Sequence, residues 1–343
     1  MARRLPTVSD VARAAGVSRQ TVSNVLNTPE IVREATRERV RAVVAELGYR
    51  PHASARRLRT QRSSTIAVRL DPFAGGISGA VLDRFLHALT ERAEAKGLRV
   101  LLYTARDAAD EIRQFTRLVD GSDVDAFVLA STSYGDPRTE WLIAHGQTFV
   151  TFGRPWGVAD PEDLRHFWVD VDGRAGTRAA TERLWADGAR RIGFLGWPAG
   201  SGTGDDRRAG WAAAMADAGV PAGRLSRLSV EAEDTVTAGR TAMLALLARE
   251  PDADAVVAVS DTVALGALIA TGGALPVIGF DNSPAAEAIG FSSIDQRLDE
   301  VAAAALELLD VVGRADSAGA DGHRLIAPRV VMRAHSAALD LLR

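Results

Sequence analysis

The chain contains no cysteine. That excludes disulfides, thiolate metal sites and a cysteine nucleophile, and it fits a reducing compartment such as the cytoplasm. Lysine is nearly absent too: Lys96 stands alone beside 40 arginines, which reads as genomic base composition. No run approaches the roughly 18–20 apolar residues of a membrane span. Met1–Leu5 is basic, but the apolar core of a secretion signal does not follow it. The six histidines (His52, His87, His145, His166, His323 and His335) are scattered without metal-ligand spacing. Neither GxSxG nor GxxxxGK(S/T) occurs. The glycine-rich stretch at 200–206 carries two aspartates that would repel phosphate, so it reads as a surface or cleft-edge loop. Together these absences argue against an enzyme and against a bound metal or cofactor.

What is present is unevenly spread. At 343 residues, 47% hydrophobic and 25% charged, the chain is an ordinary globular protein of two or three domains. Residues 1–63 hold thirteen arginines against five acidic residues, a surplus of eight positive charges. The remainder must then carry eleven negative charges to give the net −3. A basic head on an acidic body predicts that only the head meets nucleic acid.

Within the head, Thr7–Asn27 (TVSDVARAAGVSRQTVSNVLN) reads as two short helices and a tight turn. Thr7 and Asp10 have the spacing of a capping box, Gly16 permits the turn, and Ser18 caps the second helix. Val17 and Val22 form a staple, and Val22, Val25 and Leu26 face inward. The opposite face carries Arg19, Gln20, Ser23, Asn24 and Asn27. Arginine matches the O6 and N7 edge of guanine, and amides match adenine N6 and N7. A third helix is expected at about Glu34–Leu47, ended by Gly48. Beyond it, HASARRLRT (52–60) is too short and too polar to be a helix alone. Arg57 there suits a phosphate, and Leu58 is a candidate minor-groove wedge.

The stretches TVSDVARAAGVSRQTVSNVLN and VREATRERVRAVVAELGYRPHASARRL resemble the DNA-binding head and hinge of the lactose-repressor (LacI) family. The resemblance implies that Arg19, Gln20, Ser23 and Asn24 read bases, and that Thr7, Ser18, Thr21 and Asn27 touch the DNA backbone. It also implies that Ala55, Arg57 and Leu58 enter the minor groove as a hinge. Arg33 departs from the family's usual Ser or Pro and weakens the third helix's cap.

From Ser63 onward, strand-like runs alternate with amphipathic helices, and the pattern restarts past Trp168. This predicts an α/β fold: an all-α helix-turn-helix head plus a two-lobed body of parallel sheets flanked by helices. The expected division is 1–50 for the head and 51–62 for the hinge. One lobe is expected at 63–165 plus about 296–324, the other at 166–295 plus about 325–343. Ligands in such folds bind beyond the carboxyl ends of strands. Post-strand positions hold Phe73, Arg154, Trp156, Trp197, Asp261 and Asp281, and Arg207 opens the helix after the glycine-rich loop. The tryptophans Trp156 and Trp197 are placed to stack on a sugar, whereas Trp185 and Trp211 lie on helices and read as core. The LacI resemblance continues through VDVDGRAGTRAATERLWADGARRIGFLG, DDRRAGW, AVSDTVALGAL, VIGFDN and SSIDQ. It implies a body like periplasmic sugar-binding proteins, with Arg207, Asp261 and Asp281 facing Phe73 and Arg154 across an effector pocket. Ala189 replaces a usual His, and Asp234 stands where several members place a stacking tryptophan.

The reading is a cytoplasmic transcriptional regulator, a repressor, that binds pseudo-palindromic operator DNA as a homodimer and answers to a small-molecule effector, a sugar. The alternatives are a purine or other small metabolite as effector, or a solute-binding transport receptor with no DNA role. Only Ser336–Arg343 follows the last strand, too short for a tetramer-forming coiled coil.

Overall fold

A computed structural model describes residues 6–49, 63–70, 79–158, 163, 165–312 and 321–333. The chain forms two compact units, Met1–Ser63 and Ser64–Arg343. The first is a three-helix head: α1 (Val8–Ala15), α2 (Arg19–Asn27) and α3 (Glu34–Leu47), with a 3₁₀ turn at Pro29–Ile31. Its local chemistry follows the sequence. The Thr7 Oγ1 accepts from the Asp10 N–H, and the Asp10 carboxylate accepts from the Thr7 N–H at 2.9 Å, closing the capping box. Gly16 sits at φ +62°, where a Cβ would be strained. Val11, Val22 and Val40 are fully buried, one from each helix, and form the centre of the small core. Arg33 gives α3 no side-chain cap, as its identity implied.

The body holds two six-stranded sheets. The strands are β1 (Thr65–Arg69), β2 (Arg99–Tyr103), β3 (Ala126–Leu129), β4 (Phe149–Phe152), β5 (Phe167–Val171), β6 (Ile192–Gly196), β7 (Ser229–Glu231), β8 (Ala255–Ala258), β9 (Val277–Phe280), β10 (Ser292–Asp295), β11 (His323–Ile326) and β12 (Arg329–Val331). The first sheet runs β11-β5-β4-β3-β1-β2 and is parallel throughout. The second runs β12-β10-β9-β8-β6-β7 and is parallel except for β12. Each order reverses next to its first strand, at β1/β3 and at β6/β8, and such switch points open a crevice at the strands' carboxyl ends. Central strands such as β3, β6 and β8 are buried along their length, as sheets covered on both faces require.

The chain changes sheet three times: after β5, after β10, and between β11 and β12. The changeovers expected at 166 and 325 are therefore corrected. Each falls before or inside a strand, β5 and β11, that pairs in the first sheet. Strand pairing is a long-range property, and the apolar pattern of β5 does not say which sheet it joins. At the crossings, the Asp172 N–H donates to Ile326 O at 2.9 Å, so two of the connections lie side by side.

A buried ionic cluster stiffens the first lobe. Glu111 is fully buried on the helix Ala108–Asp120. It accepts from Arg69 at 2.7 Å, Arg138 at 3.0 Å and the Tyr103 hydroxyl at 3.0 Å. Arg138 also donates to Asp136 and to the carbonyls of Ala130 and Ser131, pinning the segment after β3. Removing one member leaves the others charged and dry. Glu111→Ala should therefore cost about 3–5 kcal/mol of unfolding free energy. Urea denaturation would read this as a large drop in midpoint, and a loss of a few tenths would show that the cluster does not stabilise the lobe.

Candidate DNA-reading face and effector cleft

In the head, the Ser18 Oγ accepts from the Thr21 N–H at 3.0 Å and so starts α2. Burial of Val22 and Val25 turns the other side of the helix outward. Arg19, Gln20, Ser18 and Asn27 are exposed, while Ser23, Asn24 and Thr21 are half-buried. The Gln20 amide nitrogen donates to Asn24 Oδ1 at 2.9 Å, and Asn27 donates to the Ser23 carbonyl at 2.6 Å. The two amides thus brace each other and keep their remaining donors and acceptors turned out. Thr7 is committed to its capping box through its side chain. Ala55, Arg57 and Leu58 lie outside the described residues, as does Phe73 in the body.

In the body, a cleft of about 420 Å³ opens where the carboxyl ends of the two sheets meet. Ser131, Thr132, Ser133, Phe152 and Asp170 line it from the first lobe, and Trp197, Ser201, Thr203, Arg207, Asp234 and Asp281 from the second, with Gln296 at a crossing. A larger hollow of about 700 Å³ lies at the other end of the second sheet, beside the amino ends of β9 and β10. It brings together none of the expected effector residues.

Arg207 is the centre of the cleft wall. It is 4% exposed. Its guanidinium lies 3.6 Å from the Phe280 ring centroid and 5.4 Å from that of Trp197. Nη1 donates to Val259 O at 2.6 Å and stands 3.9 Å from the Asp281 carboxylate. Burial lowers its affinity for the proton, and Asp281, Asp170, Asp234 and Asp206 offset that. Asp281 accepts from the Gln296 amide at 2.7 Å. Burial pushes its carboxyl up to about 8, reinforced by the charge of Asp261 and opposed by Arg207. Among the described residues, Arg207 Nε and Trp197 Nε1 are buried without a hydrogen-bond partner.

Three expected effector residues are placed differently. Asp261 is fully buried behind the wall, accepting from the Ser293 hydroxyl at 2.5 Å and the Ser283 N–H at 2.7 Å. It ties β9 and β10 to the helix Asp261–Thr271, and burial raises its pKa. Arg154 does not line the cleft. Its Nε donates to Asp170 at 2.8 Å and its Nη2 to Asp206 at 2.7 Å, so it bridges the lobes. Trp156 lies under the Arg154 guanidinium and packs on Gly202 of the other lobe. A Cβ at Gly202 would come within 2.5 Å of that ring, and its φ is +53°, so glycine is required there twice over.

Sequence reasoning missed Asp170, Gln296 and the Ser131–Ser133 segment, and it marked Asp234 only as a departure from the family's stacking tryptophan. All follow or end a strand, so the post-strand rule could have found them. Asp234 accepts from the Ser260 hydroxyl at 2.5 Å and lines the cleft. As expected, Trp211 is core, with its Nε1 donating to Ile192 O at 3.1 Å.

Residues 7–52 match the family of bacterial regulatory proteins called lacI. Residues 78–314 match the periplasmic binding proteins and sugar-binding domain of that family. The chain belongs to the LacI family. It is similar to the HTH-type transcriptional regulator CelR of Thermobifida fusca, 38% identical over 301 residues that cover 83% of this chain and 84% of CelR. GalS of Salmonella typhimurium is 33% identical over 82% of this chain and 81% of its own length. Among solved structures, a LacI-family regulatory protein from Chloroflexus aggregans matches with TM-score 0.72 and 33% identity, over 80% of this chain and 99% of that one. A CelR–cellobiose complex matches with TM-score 0.70 and 29% identity, over 96% and 100%. The protein is thus a helix-turn-helix DNA-binding transcriptional regulator. No described helix is long and apolar enough to cross a membrane.

The Asp281 environment sets a pH dependence. The folded protein holds this proton more tightly than the unfolded chain. The stabilisation is full below the unfolded value of 3.8 and is lost as pH rises toward about 8. Asp281→Asn removes the titration. The fall in thermal midpoint between pH 5 and pH 9 should therefore be smaller in the variant, and an equal fall in both proteins would contradict the assignment.

Proposed function

We propose that the protein is a cytoplasmic repressor that binds a pseudo-palindromic operator as a homodimer, under the control of a sugar held in the cleft. The observation that carries the sugar reading is the pairing of Arg207 with Asp281 beside the Trp197 ring in a closed-in cleft. A guanidinium and a carboxyl group together offer donors and acceptors to vicinal hydroxyls, and an indole covers the apolar face of a pyranose. Buried donors without partners, Arg207 Nε and Trp197 Nε1, favour a polar ligand after small side-chain shifts. The cleft volume also falls within the range of small-molecule pockets, about 300–1,000 Å³. The cellobiose complex of a relative with 29% identity makes cellobiose the first sugar to test.

Base reading is assigned to Arg19, Gln20, Ser23 and Asn24, and the hinge contacts to Ala55, Arg57 and Leu58. Arg19→Ala should weaken operator binding roughly ten- to a hundredfold and relax preference at one base position. Binding-site selection tests this, and an unchanged sequence preference would remove α2 from the major groove. Leu58→Ala should reduce operator bending while non-specific binding persists, because phosphate attraction is retained. Circular-permutation mobility reads the bend.

For control, Arg207→Ala and Asp281→Asn should still fold and bind operator but respond to the sugar only at about ten- to a hundredfold higher concentration. Sugar titration of operator binding decides it. A full response at unchanged concentration in both variants would put the effector elsewhere.

A further inference from the structure

Asp281 does not stand on relaxed backbone. Its φ is +123°, and Asn282 follows at φ +48°, both in the region where side chains other than glycine are strained. This turn is held by its amides, by Arg333 on the Asn282 side chain and by Gln296 on the Asp281 carboxylate, the last at 2.7 Å. The Asp281 N–H donates to Ile294 O at 2.8 Å, the Asn282 N–H to Ser293 Oγ at 2.9 Å, and the Ser283 N–H to Asp261 Oδ2 at 2.7 Å. Arg333 donates to Asn282 Oδ1 at 2.5 Å.

The two carbonyls of the strained pair are held from the opposite lobe. Arg84 lies on the helix Ala80–Ala95, which packs with the first sheet's elements. Its Nη1 donates to Asp281 O at 3.1 Å and to Asn282 O at 2.9 Å. This bridge differs in kind from that of Arg154 and Asp206, which joins two side chains. Arg84 grips backbone, and the backbone it grips is the one that aims Asp281.

We propose that Arg84 is a positioning residue for effector recognition: from the first lobe it clamps the strained Asp281–Asn282 turn and so sets the aim of the Asp281 carboxylate. The proposal rests on the reading of the cleft as the effector site. When the lobes part, the turn keeps its amide bonds but loses its carbonyl clamp, and the direction of Asp281 is less closely fixed, with Gln296 still on its carboxylate. Lobe closure and hydroxyl recognition are then linked through one guanidinium, with no ligand needed to make the link.

The test uses the full chain and no sugar. Because the protein has no cysteine, Thr116→Cys and Ala186→Cys give one dye site on each lobe. Labelled chains diluted into unlabelled protein report the distance within one subunit. In Arg84→Ala, the Ser283 amide should exchange hydrogen roughly tenfold faster, and the lobe-to-lobe distance should lengthen and broaden. Arg84→Lys, which can reach one carbonyl, should fall between. The amides of the helix Ala80–Ala95 should exchange at the wild-type rate in both variants. A helix defect caused by losing Arg84 would instead speed exchange along that helix, and that result would overturn the proposal. Unchanged exchange and distance in Arg84→Ala would overturn the proposal. Failure of sugars to bind the wild-type protein would defeat the effector reading instead, and the two outcomes are read separately.

Discussion

The body is arranged around a charge that cannot be discharged. An arginine keeps its proton in any protein environment, so burying Arg207 requires compensation on the spot. The Phe280 ring face and the Val259 carbonyl take part of the load. Carboxylates supply the rest, converging from segments far apart in sequence: Asp170 at the end of β5, Asp206 one residue before Arg207, Asp234 after β7 and Asp281 after β9. That gathering has a second consequence. Several carboxylates around one guanidinium leave the cleft with surplus negative charge, and burial makes each one costly. The surplus is handled in two ways. Asp281 holds a proton below about pH 8 and then leaves the compensation of Arg207 to the other carboxylates. Asp170 and Asp206 are paired with Arg154, which reaches across from the end of β4. The arginine expected to touch a ligand is thus consumed in balancing the wall that the ligand would face.

How much of this was legible in the sequence follows from range. The head was read almost residue by residue, because its determinants are local: Thr7 with Asp10, Gly16 in its turn, Ser18 at its cap, valines at helical spacing. The alternation of strands and helices in the body was equally legible. Which sheet a strand joins was not, because β5 and β11 look like any other apolar strand and are sorted only by their neighbours. The post-strand rule located Arg207's partner Asp281 and the Trp197 wall. It misplaced Asp261, because the rule gives a position along the chain and no direction. Asp261 turns its carboxylate back into the lobe, where Ser283 and Ser293 hold it. Arg154 and Trp156 were misplaced for a different reason. Their partners, Asp206 and Gly202, sit on the other lobe, and no pattern within one lobe announces a contact across a cleft.

The placement of these contacts bears on how a ligand could act. A ligand shifts a conformational equilibrium only through a difference in affinity between the states. The cleft supplies that difference by construction. Ser131–Ser133, Phe152 and Asp170 come from one sheet, Trp197, Arg207, Asp234 and Asp281 from the other. A molecule that touches both sets cannot bind equally well when the lobes separate. Yet the lobes are already joined without a ligand, by Arg154 on Asp206, by Trp156 on Gly202 and by Arg84 on the Asp281 turn. Each bridge is a single contact: an ion pair, an indole against a glycine, and a guanidinium on two carbonyls. The Arg154–Asp206 pair is largely buried, at 21% and 8% side-chain exposure, so parting the lobes would break the contact and rehydrate both charges, two effects that oppose each other. An effector that spans the cleft acts on this balance only through its differential affinity for the two arrangements, and that difference bounds how far it can shift them. A deeper apolar seam between the lobes would oppose their parting, and a cleft with no bridges would leave the aim of Asp281 to Gln296 and the turn's own amide bonds.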